Sequence, residues 1–234
     1  MLCLALAVAG CSLTDQTPVY RYRVTVEVDT PDGVKTGSSV IEVDTEVAGE
    51  YSIPTPGRVT NRVRGEAVTV DLGGGRVLFA LLRSEADNDW AGRVMYRLSP
   101  QYVGENALRD GYRNMLRHRP ERTVPRHFSR ADQVNERSAY PMLVTFRDID
   151  DPTSVEEVDP DDLAATFGEG VSLKRITVQI TDDPVTSGIG QRLGWLEAHG
   201  RDHARLKPSG SRYLDEAQLI NLVTPGDFST ELYR

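Results

Sequence analysis

The sequence predicts an α+β fold with a largely antiparallel sheet, hairpins in the N-terminal half, and several short helices in the middle and C-terminal half. Three observations lead there. Tyr20, Tyr22, Val24, Val26 and Val28 alternate with Arg21, Arg23, Thr25, Glu27 and Asp29, the period of a half-buried strand. Two turn clusters, Pro31-Asp32-Gly33 and Gly73-Gly74-Gly75, each separate a pair of strand-like runs. Beyond Gly104, apolar residues shift to helical spacing between the remaining strands.

Taken in order, Lys35–Val43 reads as the strand returning from the first turn, and a loop with Gly49, Pro54, Pro56 and Gly57 follows. Ala67–Leu72 and Arg76–Leu82 form the second hairpin. The run Val77–Leu82 is continuously apolar, which predicts a strand buried on both faces. Arg93–Leu98, with Val94, Tyr96 and Leu98 on one side, reads as a further strand. Ala107, Leu108, Tyr112, Met115 and Leu116 predict a helix within 104–118. A polar stretch over 119–140, broken by Pro120 and Pro125, reads as a long loop, and Met142–Phe146 as a short strand. Asp159 is expected to cap a helix running through Leu163, Ala164 and Phe167 to Gly168. Val171–Thr181 reads as a strand, Ser187–His199 as a helix stopped by Gly200, and Leu214–Leu222 as a last short helix.

The formal net charge of −8 argues against general nucleic-acid binding, which needs a basic face to displace counterions. Cys3 and Cys11 are the only cysteines. From Ser12 onward a disulfide scaffold, a thiolate zinc site and a cysteine nucleophile are therefore excluded. After the N-terminal segment no apolar run approaches the roughly 20 residues that span a bilayer.

Met1–Gly10 reads MLCLALAVAG, and the composition turns polar immediately after Cys11. An apolar run ending in small residues has the form of an export signal. Val8-Ala9-Gly10-Cys11 resembles the lipobox of bacterial lipoproteins, although no Lys or Arg precedes the apolar run. The resemblance implies a signal peptide over 1–10, lipidation at Cys11, a lipidated tether over 11–18 and a globular domain over 19–234. That domain reads as one unit, or as a β-rich part over 19–100 and a mixed part over 141–234 joined by a basic helix–loop segment. Ser12 beside the cysteine points to the outer membrane facing the periplasm. The stretches Arg23–Val43 and Leu143–Leu196 resemble uncharacterised proteobacterial hypothetical proteins, a resemblance that implies no activity, substrate or catalytic residue.

Several constellations invite chemistry. Gly73–Gly75 lacks the Lys and Ser or Thr of a phosphate-binding loop and reads as a hairpin turn. Gly188-Ile189-Gly190-Gln191-Arg192-Leu193-Gly194 places its third glycine one position late for a dinucleotide fingerprint. His199 and His203 have metal-ligand spacing, but Gly200 between them and the lack of a third histidine favour no metal and no cofactor. The acidic run from Asp148 to Asp162 lacks calcium-loop spacing and reads as a solvated face, with Ser154 and Glu157 as a capping box. Arg109, Arg113 and Arg117 recur every four residues along one helix face, and Arg119, Arg122, Arg126 and Arg130 follow. That face suits an anionic partner (lipid headgroups, an anionic polymer or an acidic envelope protein), and the competing reading pairs it with the acidic run. Without a nucleophile elbow or metal motif, the sequence favours a non-enzymatic envelope lipoprotein that binds or supports assembly. A membrane-anchored, carboxylate-dependent hydrolase is the alternative.

Overall fold

Strand structure begins at Thr14 in the computed structural model, which describes residues 14–48, 57–100, 107–128, 138–201, 206 and 223–233. The long strand β3 (Gly33–Ala48) organises the first sheet. Strand β2 (Tyr20–Thr30) pairs antiparallel with its first part, from Thr30–Gly33 to Tyr20–Val43. The rest of β3 overhangs β2, and its backbone groups need partners. β1 (Thr14–Gln16) supplies them on one side through Thr14–Ala48 and Gln16–Glu46, and β4 (Val59–Arg64) on the other. Within the stretch 11–18, Thr14–Gln16 lie in the sheet, and the buried Thr17 hydroxyl donates to Thr45 O at 2.6 Å.

The second sheet is built from β5 (Val68–Gly73), β6 (Arg76–Ala80), β8 (Leu143–Phe146) and β9 (Val155–Glu157), all antiparallel. β10 (Ser172–Thr181) returns to the first sheet beside β2, with β7 (Arg122–Thr123) at its outer edge. Both sheets thus mix strands from before Pro100 with strands from after Pro141, and the β-rich and mixed parts share one core. The result is an α+β fold, mostly sheet, with six short α-helices among the described residues: α1 (Trp90–Arg97), α2 (Ala107–Arg117), α3 (Leu163–Phe167), α4 (Ile189–Arg192), α5 (Leu196–Arg201) and α6 (Pro225–Phe228).

Two apolar cores explain the layering. The inner face of β2, with Ile41 and Val43 of β3, packs on Val68, Val70, Leu72, Leu78 and Ala80 of the second sheet and on Trp90, Val94, Tyr112 and Met115. The opposite face of the second sheet, Val77, Phe79 and Val144, is covered by Ile189, Leu193, Leu196 and Phe228. Val77–Leu82 is therefore buried on both faces, as its unbroken apolar run predicts. The sheets approach closely at Gly37, where a Cβ would lie 2.1 Å from the Thr69 carbonyl oxygen.

Local expectations differ in a few places. Residues 93–97 belong to α1, with Leu98 as its C-cap, and not to a strand. The alternation of Val94, Tyr96 and Leu98 is subordinate to a helical stripe of Trp90, Ala91, Val94 and Met95, all buried. α3 is capped by Asp162, whose carboxylate accepts from Ala165 N, while Asp159 instead accepts from Asp161 N. Ser154 and Glu157 form no capping box. Asp151 starts a 3-10 turn over Pro152–Ser154, and Glu157 lies in β9. The helix expected over 187–199 is split by extended backbone at Leu193, and Gly200 lies inside α5 because its bare Cα packs on Leu232. The helix expected over 214–222 lies outside the described residues.

Candidate functional site

The basic helix face is set by α2. Tyr112 and Met115 are buried and Leu116 half-buried, so the positions between them face solvent. Tyr112 fixes the helix on the sheet: its ring lies 4.7 Å from Tyr96 and 6.5 Å from Tyr20, and its hydroxyl faces Thr45. Burial raises the Tyr112 phenol above its ordinary range, so it stays neutral. A Cβ at Gly111 would come 3.0 Å from the Tyr96 ring, a close approach that a bare glycine permits. On the outer side Arg113 and Arg117 are exposed, and the Asp110 carboxylate is 4.0 Å from Arg113. Arg109 belongs to the same helix, but its side chain lies outside the described residues.

Among the described residues the acidic run makes no ion pair with this face. Its ion pairs go to Arg126, which holds Asp161 in a bidentate contact with a nearest approach of 2.7 Å, and to Arg147, 2.9 Å from Glu156. Arg119 pairs with Asp182 at 2.6 Å, and Arg122 donates to Ser99 Oγ at 2.8 Å. The basic middle therefore divides into arginines turned back onto the protein and the α2 pair facing outward.

The same end of the domain carries the N-terminal strand. Thr17 hydrogen-bonds Thr45, which Tyr112 also faces, and Val19 and Leu116 line one 470 Å³ groove with Arg119 and Ile180. Val19 is 55% exposed there, one of two large apolar residues left open among the described residues. Cys11, the expected lipidation site, lies outside the described residues.

A second constellation escaped the sequence reading. Asp89, Asp227, Asn61, Asn88 and Thr230 line a 190 Å³ pocket between β4, the start of α1 and α6. Burial raises both carboxyls above the usual range. At Asp89 this is opposed by Asn61, which donates to Oδ2 at 2.8 Å, and by Arg93 at 3.1 Å. At Asp227 it is opposed by the Thr224 amide and hydroxyl, at 2.7 and 2.9 Å, in the capping box of α6. Asn61 also accepts from Thr45 Oγ1 at 2.9 Å, so the pocket connects to the tyrosine cluster through one residue. Asp89 and Asp227 are 138 positions apart in sequence, and no local pattern signals their meeting.

The remaining sequence candidates resolve into structure. Gly73, Gly74 and Gly75 all have positive φ in the β5–β6 turn. The amide opening α4 at Ile189 donates to the buried Glu66 carboxylate at 2.9 Å, so the chain's own anion occupies the place a phosphate would take. His199 Nδ1 lies 3.2 Å from Trp195 O, and His203 is outside the described residues. Asp148 and Asp151 hold local turns by accepting from Asp150 N and Thr153 N. Among the described residues no group of three His, Cys, Asp or Glu side chains is placed to hold a metal, and no helix is long and apolar enough to cross a membrane. No family model matches this chain, and neither curated proteins nor solved structures give a match.

Proposed function

We propose that this chain is an exported bacterial envelope lipoprotein, anchored through Cys11, that binds an anionic partner through α2 and is not an enzyme. The observation that carries the binding role is the outward pair Arg113 and Arg117, which the acidic run leaves unengaged. The outer membrane facing the periplasm is the proposed location, from Ser12 beside the cysteine. Labelled-palmitate incorporation with membrane fractionation tests the anchor. Label and membrane retention that vanish in Cys11→Ser support it, and an unlabelled, cytoplasmic protein overturns it.

A second reading has one specific observation behind it. Asp89 and Asp227 line a common pocket, and burial keeps both carboxyls more easily protonated than in water, as a carboxylate-dependent hydrolase needs of its acid. Asp227 is committed to the α6 cap, however, and both of its contacts to Thr224 are structural. A hydrolytic activity toward glycoside or ester substrates that disappears in Asp89→Asn would move the assignment to this reading.

A further inference from the structure

We propose that the partner of the α2 face is the anionic headgroup surface of the same membrane that holds Cys11. The inference rests on the lipid anchor proposed above and adds an orientation to it. Thr14 is paired with Ala48, so only Ser12 and Leu13 separate Cys11 from the sheet. Three residue steps reach at most about 10 Å even fully extended. A domain on so short a leash cannot turn freely, and the end carrying β1 stays against the headgroups.

That end is also where α2 lies. Thr17, three residues after Thr14, donates to the Thr45 carbonyl, and the Tyr112 phenol of α2 faces the same Thr45 and packs beside Tyr20. Arg113 follows Tyr112 directly, and Arg117 is four residues further, about 6 Å along the helix axis. Leu116 and Val19 wall one groove, so the C-terminal turn of α2 flanks the chain leaving β1. The two exposed guanidiniums thus stand within a few tens of ångströms of the anchor. An anionic leaflet attracts each arginine at its surface by a factor of about five, an effect that fades within a Debye length. Reversing both charges should shift the balance between docked and undocked domain by at least about 30-fold.

The rest of the protein makes the arrangement selective. The overall charge is −8, so the domain as a whole is repelled by an anionic surface and an orientation presenting an acidic face to it is disfavoured. The β2–β3 turn at Asp32, at the opposite end of an 11-residue strand, would point away from the membrane.

The test uses the processed, lipidated chain, in which Cys11 is blocked and an introduced cysteine is the only free thiol. A donor fluorophore is placed at Asn114→Cys on α2 or at Asp32→Cys on the far turn, with acceptor-labelled headgroups in vesicles of phosphatidylglycerol and phosphatidylcholine. Strong transfer from position 114 and weak transfer from position 32 are expected. The contrast should fall at least twofold in pure phosphatidylcholine, in 0.5 M salt, and in Arg113→Glu with Arg117→Glu. Because the salt and lipid arms use the unaltered arginines, a misfolded variant cannot produce the result. Palmitate on Cys11 with equal transfer from both positions, or with transfer indifferent to salt and lipid charge, overturns the docking and leaves the anchor standing. Absence of palmitate from the same preparation overturns the anchor reading and the docking with it.

Discussion

Replacing Gly37 by alanine tests the packing of the two sheets at a single atom. A Cβ at this position would lie 2.1 Å from the Thr69 carbonyl oxygen, 2.8 Å from its carbon and 3.0 Å from a Val70 methyl. Real Cβ atoms need more than 3 Å, and the obstacle is backbone, which has no rotamer to escape into. Relief requires β3 and β5 to part by roughly 1 Å, at a point where Val24, Val26 and Val70 are fully buried. Over-packing of this kind costs about 1–3 kcal/mol, and the rigid obstacle places Gly37→Ala at about 3 kcal/mol. For a chain of this size that lowers the unfolding midpoint by about 6–12 °C. Gly190→Ala is the matched control. Gly190 lies in α4 with nothing within 4 Å of the added methyl, so it should be neutral or stabilising by about 0.5–1 kcal/mol. Calorimetry or urea unfolding of the two variants beside the parent reads the difference. If Gly37→Ala matches the parent within about 0.5 kcal/mol, the close approach of β3 to β5 is wrong, and the shared core of the two sheets with it.

Two further outcomes follow from the buried polar groups. Asp89 holds its proton more tightly folded than unfolded, so its contribution to stability is complete below the ordinary aspartate range near pH ~4 and is lost as pH rises through the folded value. Asp89→Asn should therefore gain stability relative to the parent between pH ~4 and ~7, read as a shift in urea midpoint, and a pH-independent difference would contradict the burial of this carboxyl. Glu66 accepts from the Ile189 amide at 2.9 Å and the Ser229 hydroxyl at 3.4 Å, and its carbonyl accepts from Ser39 Oγ at 2.6 Å. Glu66→Ala leaves buried donors without partners and should cost about 2–3 kcal/mol, with amide exchange over 189–192 accelerating first; unchanged protection there would remove Glu66 from its capping role.

Legibility in the sequence followed the length and purity of each pattern. β2, β10 and the β5–β6 hairpin were readable because alternation or an unbroken apolar run extended over five residues or more. β1, β4 and β9 were not, since Thr14–Gln16, Val59–Arg64 and Val155–Glu157 are short or polar and become strands only because β3 and β8 offer unpaired edges. α1 was misread because three of its apolar residues also fit a period of two, and Trp90 and Ala91, which break the tie, precede the window. The arginine face was visible as a repeat of four, a property of a single helix. The Asp89–Asp227 pocket was invisible, because it arises where α6 folds back on Leu82, whose amide donates to Asp227 O at 2.9 Å.

The large sheet shows why a count of basic residues misleads here. On its outer face Arg21 and Arg64 share Glu42, Arg23 holds Asp183, and Lys174 and Arg175 converge on Glu27. These partners hold the Glu42 and Glu27 carboxyls below their usual range, so both carry full charge at neutral pH and complete the pairing. Exposed pairs of this kind add little stability, about 0–1 kcal/mol each, but they neutralise the face and withdraw its cations from any external anion. The sheet is thus patterned against docking, while α2 presents the exposed Arg113 and Arg117, of which Arg113 has the half-exposed Asp110 carboxylate at 4.0 Å. On the proposed docking, a chain of net charge −8 with a small cationic face beside its N-terminal strand would gain orientation from that face more than affinity. The expected signature is a salt-dependent change in how the domain sits on the membrane, with the amount of membrane-bound protein unchanged as long as the lipid on Cys11 is intact.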